Sequence, residues 1–118
     1  MTSCRPLATD VVHYFLPERF APIRGAEHLA RFWQKFKQVS NKAWSIDQII
    51  GQDDRVVSEW SLIWTPAGGS TRRMMRGCEW YIMRSGVIAE VRAYFAYDET
   101  QDAELKNFPY GQRRYFMR

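Results

Sequence analysis

Four side chains of this 118-residue chain can move a proton or attack an electrophile near neutral pH: His13, His28, Cys4 and Cys78. Imidazole gains and loses its proton near neutrality, so His13, in the run DVVHY, is the candidate catalytic residue, a general base if its strand turns it towards a cavity. The alternative for a lone histidine is a structural or exposed role. His28 adjoins the apolar stripe of a helix and reads as a rim or surface group. Cys78 becomes a nucleophile only beside a base that draws off its proton; without one it is a buried, inert thiol. The two cysteines have no metal-ligand spacing and build no disulfide framework, so no metal and no cofactor are expected, and free thiols suit a cytoplasmic protein. Glu59, Glu79, Glu90 and Arg92 form a second set, with Tyr81 and Tyr94 beside them. These read as a structural charge ladder or a dimer contact, with Arg92 paired across strands to Glu79 or Glu59.

The elements that must position these groups are legible from periodicity. Asp10 to Tyr14 is a short strand, followed by the loop LPERFAPIRG. Gly25 then caps a helix over Ala26–Gln38, in which Leu29, Phe32, Trp33 and Phe36 recur at helical spacing. Glu27 opens that helix, and Lys35 and Lys37 close it, each on the end its charge favours. Four strands follow: Ala43 to Gly51, Arg55 to Thr65, Thr71 to Arg84 and Val87 to Tyr97. Turns at Asp53-Asp54, PAGGS and Ser85-Gly86 join them into an antiparallel meander. Gly77, inside its strand, predicts a bulge and therefore curvature. One helix covers four long strands only if the sheet curls around it, which makes the fold class α+β, a cone of strongly curved antiparallel sheet wrapped around the helix.

Alternation gives each strand a pocket face and an outer face. Placing the large aromatics inside assigns Trp60, Leu62, Cys78, Trp80, Val91, Ala93 and Phe95 to the pocket, with Phe32, Trp33 and Phe36 from the helix. Glu59, Glu79, Tyr81, Glu90, Arg92 and Tyr94 then face outwards. A one-residue slip at Gly77 exchanges the two faces. The aromatic set either lines a ligand cavity or simply fills the core.

GAEHLARFW, VVSEW, RGCEW, IAEVRAYF and NFPYGQRRY, in that order, resemble the nuclear transport factor 2-like superfamily, and within it the SnoaL-like bacterial proteins. The resemblance spans about Val11 to Tyr115, a single domain over residues 1–118. It implies a cone with a pocket at its open end, and commonly a homodimer. Members usually begin with one or two helices, whereas only nine residues precede Asp10 here, a shortened N-terminal helical part. Ketosteroid isomerases of the superfamily would place their base at Leu16 and their oxyanion-holding acid at Cys78. Limonene epoxide hydrolases would place their Asp-Arg-Asp set at Trp60, Leu62 and Ala93. None of these side chains supplies the required group, so neither activity is expected.

Composition bounds the partners. An apolar content of 46% with 15% aromatics indicates a packed core rather than disorder. No apolar run of membrane-spanning length and no secretory h-region is expected. The net charge of +4 is scattered over Arg72-Arg73-Arg76 and Arg113-Arg114, which argues against a nucleic-acid surface. Two functions remain open: a pocket protein, possibly catalytic, holding a small apolar or aromatic molecule, or a non-catalytic dimerisation or protein-interaction module with a filled cone. The tail residues Phe108, Pro109, Tyr110, Tyr115 and Phe116 are expected to pack back on the domain, and the outer sheet face to carry the dimer contact.

Overall fold

The computed structural model describes residues 6–16, 20–38, 42–66, 68–96, 104–109 and 112. Its elements run β1 (Leu7–Leu16), β2 (Ile23–Arg24), α1 (Ala26–Gln38), β3 (Ala43–Gln52), β4 (Arg55–Trp64), β5 (Arg73–Arg84) and β6 (Val87–Ala96). Gly25 adopts a φ of +91°, and its carbonyl accepts the first helical bond from the Leu29 N–H. That conformation favours glycine, and it launches α1 over the sheet. Leu29 and Ala30 are the buried points of the helix. The β5–β6 hairpin turns on Ser85 and Gly86, both at positive φ, as the tightest two-residue hairpins require.

Among the described residues, the six strands join one sheet in the order β2-β1-β6-β5-β4-β3. The meander β3 to β6 is antiparallel, but β1 pairs parallel to β6, so the sheet is mixed. Local hairpins are visible in sequence; the return of β6 to the first strand, some eighty residues away, is not. The loop expected after β1 contains the two-residue β2, which pairs Val12 with Arg24 and His13 with Ile23.

No bulge occurs at Gly77. Pairing with β4 is continuous from Arg55 opposite Ile82 to Trp64 opposite Arg73. Glycine is needed there for space: a Cβ would stand 2.5 Å from the Tyr94 carbonyl oxygen, 2.6 Å from Trp60 Cζ2 and 2.9 Å from Phe95 Cβ. The irregularity lies nearer the hairpin, where Met83 pairs with Ile88 but Ile82 pairs with Glu90, leaving Ala89 as the extra residue.

The helix closes one half of the cone. Leu7, Val11, Phe15, Ile23 and Leu29 form a buried cluster against which Phe32, Trp33 and Phe95 pack. A second cluster, Trp60, Leu62, Trp64 and Met75, is touched by Phe36 and Phe95. On β3, the residues opposite inner-facing positions of β4, namely Trp44, Ile46 and Ile49, remain exposed. Of the predicted tail contacts, Phe108 is half-buried and Pro109 exposed, while Tyr110, Tyr115 and Phe116 lie outside the described residues, as does Cys4. Among the described residues, no helix is long and apolar enough to cross a membrane.

Candidate functional site

Between the helix and the concave sheet lies a cavity of about 640 Å³. This is within the range of small-molecule sites. Its wall is aromatic: Phe15, Phe32, Trp33, Phe36, Trp44, Trp60, Trp64 and Phe95, with Leu62, Met75 and Ala93 between them. Trp44 stacks on Trp60 with ring centroids 4.6 Å apart, and Phe32 stacks on Phe36 at 6.1 Å. Exposed Phe20 and Trp44 contribute to the wall where it meets solvent. Among the described residues, the charged or titratable ones in the lining are His13, His28, Lys42 and Glu79. Val91 is fully buried between His13 and Tyr81 in the sheet but is not part of the wall.

His13 and Glu79 meet inside the cone. His13 Nε2 is 3.4 Å from Glu79 Oε2, with the residues 2% and 8% exposed. The Tyr81 hydroxyl donates to Glu79 Oε1 at 2.9 Å and lies 3.4 Å from Ser58 Oγ. Three strands supply the set: β1 gives His13, β4 gives Ser58, and β5 gives Glu79 and Tyr81. A buried carboxylate persists when hydrogen bonds replace its water, and here a phenol and an imidazole do so. Burial, with the charge of Glu79 alongside, pushes the Tyr81 phenol well above its usual range, so it stays a donor. A proton on Nε2 directed at Glu79 leaves Nδ1 as a lone pair. That nitrogen is buried and has no hydrogen-bond partner among the described residues, nor has the indole N–H of Trp60.

The register decides which side of β5 reaches the cavity. Directly paired residues share a face, and Trp60 pairs with Gly77, Ser58 with Glu79 and Val57 with Trp80. Glu79 and Tyr81 therefore face inwards, and Cys78 and Trp80 face outwards, the reverse of their expected assignment. Trp80 is 39% exposed. Counting straight from the Ser85-Gly86 turn puts Trp80 beside Val91; the extra Ala89 shifts the pairing by one residue, so that Tyr81 meets Val91. The acid on β5 that faces the cavity is thus Glu79, one residue beyond the position to which the ketosteroid isomerase resemblance led.

The outer face holds the rest of the charge set. Arg92 hydrogen-bonds Glu90, two residues away on its own strand, rather than Glu79 or Glu59. Glu59 instead accepts from Gln48 at 2.9 Å. Tyr94 lies opposite Cys78. Partial burial, with Glu59 and Glu79 nearby, raises the pKa of the Cys78 thiol, the opposite of what a nucleophile needs. Farther along that face, Asp47 accepts from Ser61 and forms an ion pair with Arg76 at 3.3 Å. Among the described residues, no group of three or more His, Cys, Asp or Glu is placed to hold a metal ion.

The sequence reading missed Glu79 and Tyr81 as inner groups, and also Lys42, Trp44, Trp64 and Met75 in the wall. The available signal was Gly77, since a small residue between two aromatic strands marks where a neighbouring tryptophan needs room.

Among the described residues, a concave sheet backed by α1, with an aromatic cavity partly open to solvent, defines a cone-type small-domain fold. The SnoaL-like domain family matches residues 4–91, and the chain belongs to that family. Solved structures agree on the fold. An NTF2-like protein of unknown function from Cytophaga hutchinsonii is similar at a TM-score of 0.69, with 14% identity over 80% of this chain and 83% of that one. A cystatin-like protein of unknown function from Methylobium petroleophilum is similar at 0.67, with 24% identity over 98% and 78%. A candidate SnoaL-like polyketide cyclase from Jannaschia sp. is similar at 0.65, with 13% identity over 77% and 67%. No curated protein matches the chain.

Proposed function

We propose that the cone binds a small apolar or aromatic molecule and that His13, backed by Glu79, exchanges a proton with it. The observation that carries this reading is an aromatic cavity of about 640 Å³ with a buried imidazole–carboxylate pair in its wall. Apolar walls supply affinity, while a few placed polar groups orient the ligand. In this reading Nδ1 of His13 accepts a proton from the ligand, and Glu79 stabilises the imidazolium that results. Tyr81, its hydroxyl beside that of Ser58, holds Glu79 in place. Acid–base chemistry of this kind suits the similarity to a candidate polyketide cyclase.

A thermal-shift screen of aromatic and polycyclic compounds tests the binding. A ligand at a hundred times its Kd should add about 2.7 kcal/mol of apparent stability. Ligand should also quench the fluorescence of Trp44 and Trp60. His13→Ala should then abolish any turnover of a hit while sparing its binding. A folded protein that responds to no member of the panel would defeat the proposal.

The outer face supports a second reading, a two-fold homodimer. Trp80 and Tyr94 are exposed there, next to Arg92 and Glu90, giving the aromatic and arginine composition common at interfaces. The contact set differs from the one expected, because Tyr81 and Glu79 belong to the inner face. Sedimentation equilibrium decides this reading, and a species of 14.0 kDa at micromolar concentration argues against it.

A further inference from the structure

The two edges of the sheet are unlike. Among the described residues, one edge is β2, two residues long, and the other is β3, ten residues from Ala43 to Gln52. Short edge strands, and those carrying lysine or proline, resist pairing with another chain. β3 has neither protection: it contains no Lys, Arg or Pro, and its one acid, Asp47, turns to the outer face to meet Ser61 and Arg76. Its inner side is apolar and open. The register shift between Ile46 and Gln48 sets Ile46 opposite Trp60 and Ile49 opposite Ser58, so both isoleucines face inwards. They are 50% and 64% exposed, and neither belongs to the cavity wall, so a ligand in the cone leaves them uncovered. The helix packs over β1 and β2, at the far side of the sheet, and meets β3 where Phe36 touches Trp44 edge-on.

We infer that β3 pairs antiparallel with β3 of a second copy, about a two-fold axis beside Asp47 and Gln48. The strand is self-complementary in that register. Ile46 meets the partner's Ile49, and Trp44 meets the partner's Gly51, which has no side chain to crowd the indole. Directly paired residues share a face, so both pairs stand on the concave side. Like charges are not brought together, although each chain carries +4 overall: Asp47 stands beside the partner's Gln48 and keeps its own Arg76. The paired edges and their apolar strips bury on the order of 1,200 Å² in total, the lower end of stable interfaces. The partner also completes the ligand site. Trp44 is a wall residue of the cavity and is 44% exposed, and the second copy covers its open side. This contact uses the sheet edge, not the outer face with Trp80 and Tyr94, so it is independent of both readings above.

Sedimentation equilibrium of the intact chain at micromolar concentration should give twice the 14.0 kDa of one chain. Ile46→Lys and Ile49→Lys should each halve that mass, since neither ammonium finds a counter-charge against an isoleucine. Trp80→Lys, on the outer face, should leave it unchanged. Ile49→Thr keeps the β-branched strand preference and should weaken the dimer about tenfold, which reads the contact even where a lysine variant fails to fold. Mixing Ile46→Lys with Ile49→Glu should restore a dimer that neither forms alone, because the register sets the two charges side by side. A native monomer overturns the inference. So does a dimer that survives all three substitutions on β3, or one that only Trp80→Lys dissolves. No recovery on mixing overturns the register.

Discussion

The two faces of the β5–β6 hairpin treat charge in opposite ways. On the inner face, Glu79 is almost sealed from water and exists as part of a chain with His13, Tyr81 and Ser58. On the outer face, Glu90 and Arg92 pair within one strand and stay partly solvated. Both are carboxylates beside a cationic or potentially cationic partner, yet their worth differs. Water screens the outer pair and makes it nearly dispensable. The inner group is expensive to bury, so any loss of a partner is felt directly. The aromatic residues divide along the same line. Trp60 is 3% exposed and rests against Gly77, while Trp80, one strand over on the other side, is 39% exposed.

The largest effect should separate those two tryptophans. Trp60→Ala removes a buried ring and should cost about 3–5 kcal/mol in urea denaturation, whereas Trp80→Ala should cost about 1 kcal/mol or less. Equal losses would show that the faces are not distinct. Gly77→Ala comes next, at about 3 kcal/mol, because the new methyl meets a backbone carbonyl and the Trp60 ring at once. A neutral Gly77→Ala would mean that the sheet relaxes at its tightest point.

Removing the carboxylates tests the electrostatic half of the comparison. Glu79→Ala should destabilise by about 2 kcal/mol, since it strands the Tyr81 hydroxyl and one nitrogen of His13. Glu90→Ala should cost less than about 0.5 kcal/mol. Identical midpoints for the two variants would contradict the contrast. The smallest effect concerns alkali. The folded-state pKa of Tyr81 is raised above its ordinary value of 10.0, so the folded state holds this proton more tightly than the unfolded chain. Its contribution is therefore complete below about pH 10 and is lost as pH rises beyond it. Tyr81→Phe should flatten that part of the stability profile, and absorbance titration of the native protein should show one tyrosine ionising late.

Much of the architecture was legible along the chain. The amphipathic stripe of α1, the glycine that starts it, and the turns at Asp53-Asp54 and Ser85-Gly86 are local, and propensity and periodicity report local structure. One helix set against four long strands required the sheet to curl around it. His13 was recognisable as a group able to carry a proton, but its partner was not, because Glu79 is sixty-six positions away on a strand that joins β1 only through β6.

By itself the sequence determined that β5 would have two unlike faces, one with Gly77, Glu79 and Tyr81 and the other with Cys78 and Trp80. Only the tertiary structure decided which face looks inwards. Side chains in a strand repeat every two residues, so a single extra residue reverses their sense. Here that residue is Ala89, next to the hairpin, and Trp60 packing over Gly77 holds the shifted register. Hydrophobicity alone favours the tryptophan inside. The folded chain instead places a glutamate there, where the imidazole of His13 across the sheet and the phenol of Tyr81 on the same strand take the place of water, the phenol lying in turn beside the Ser58 hydroxyl.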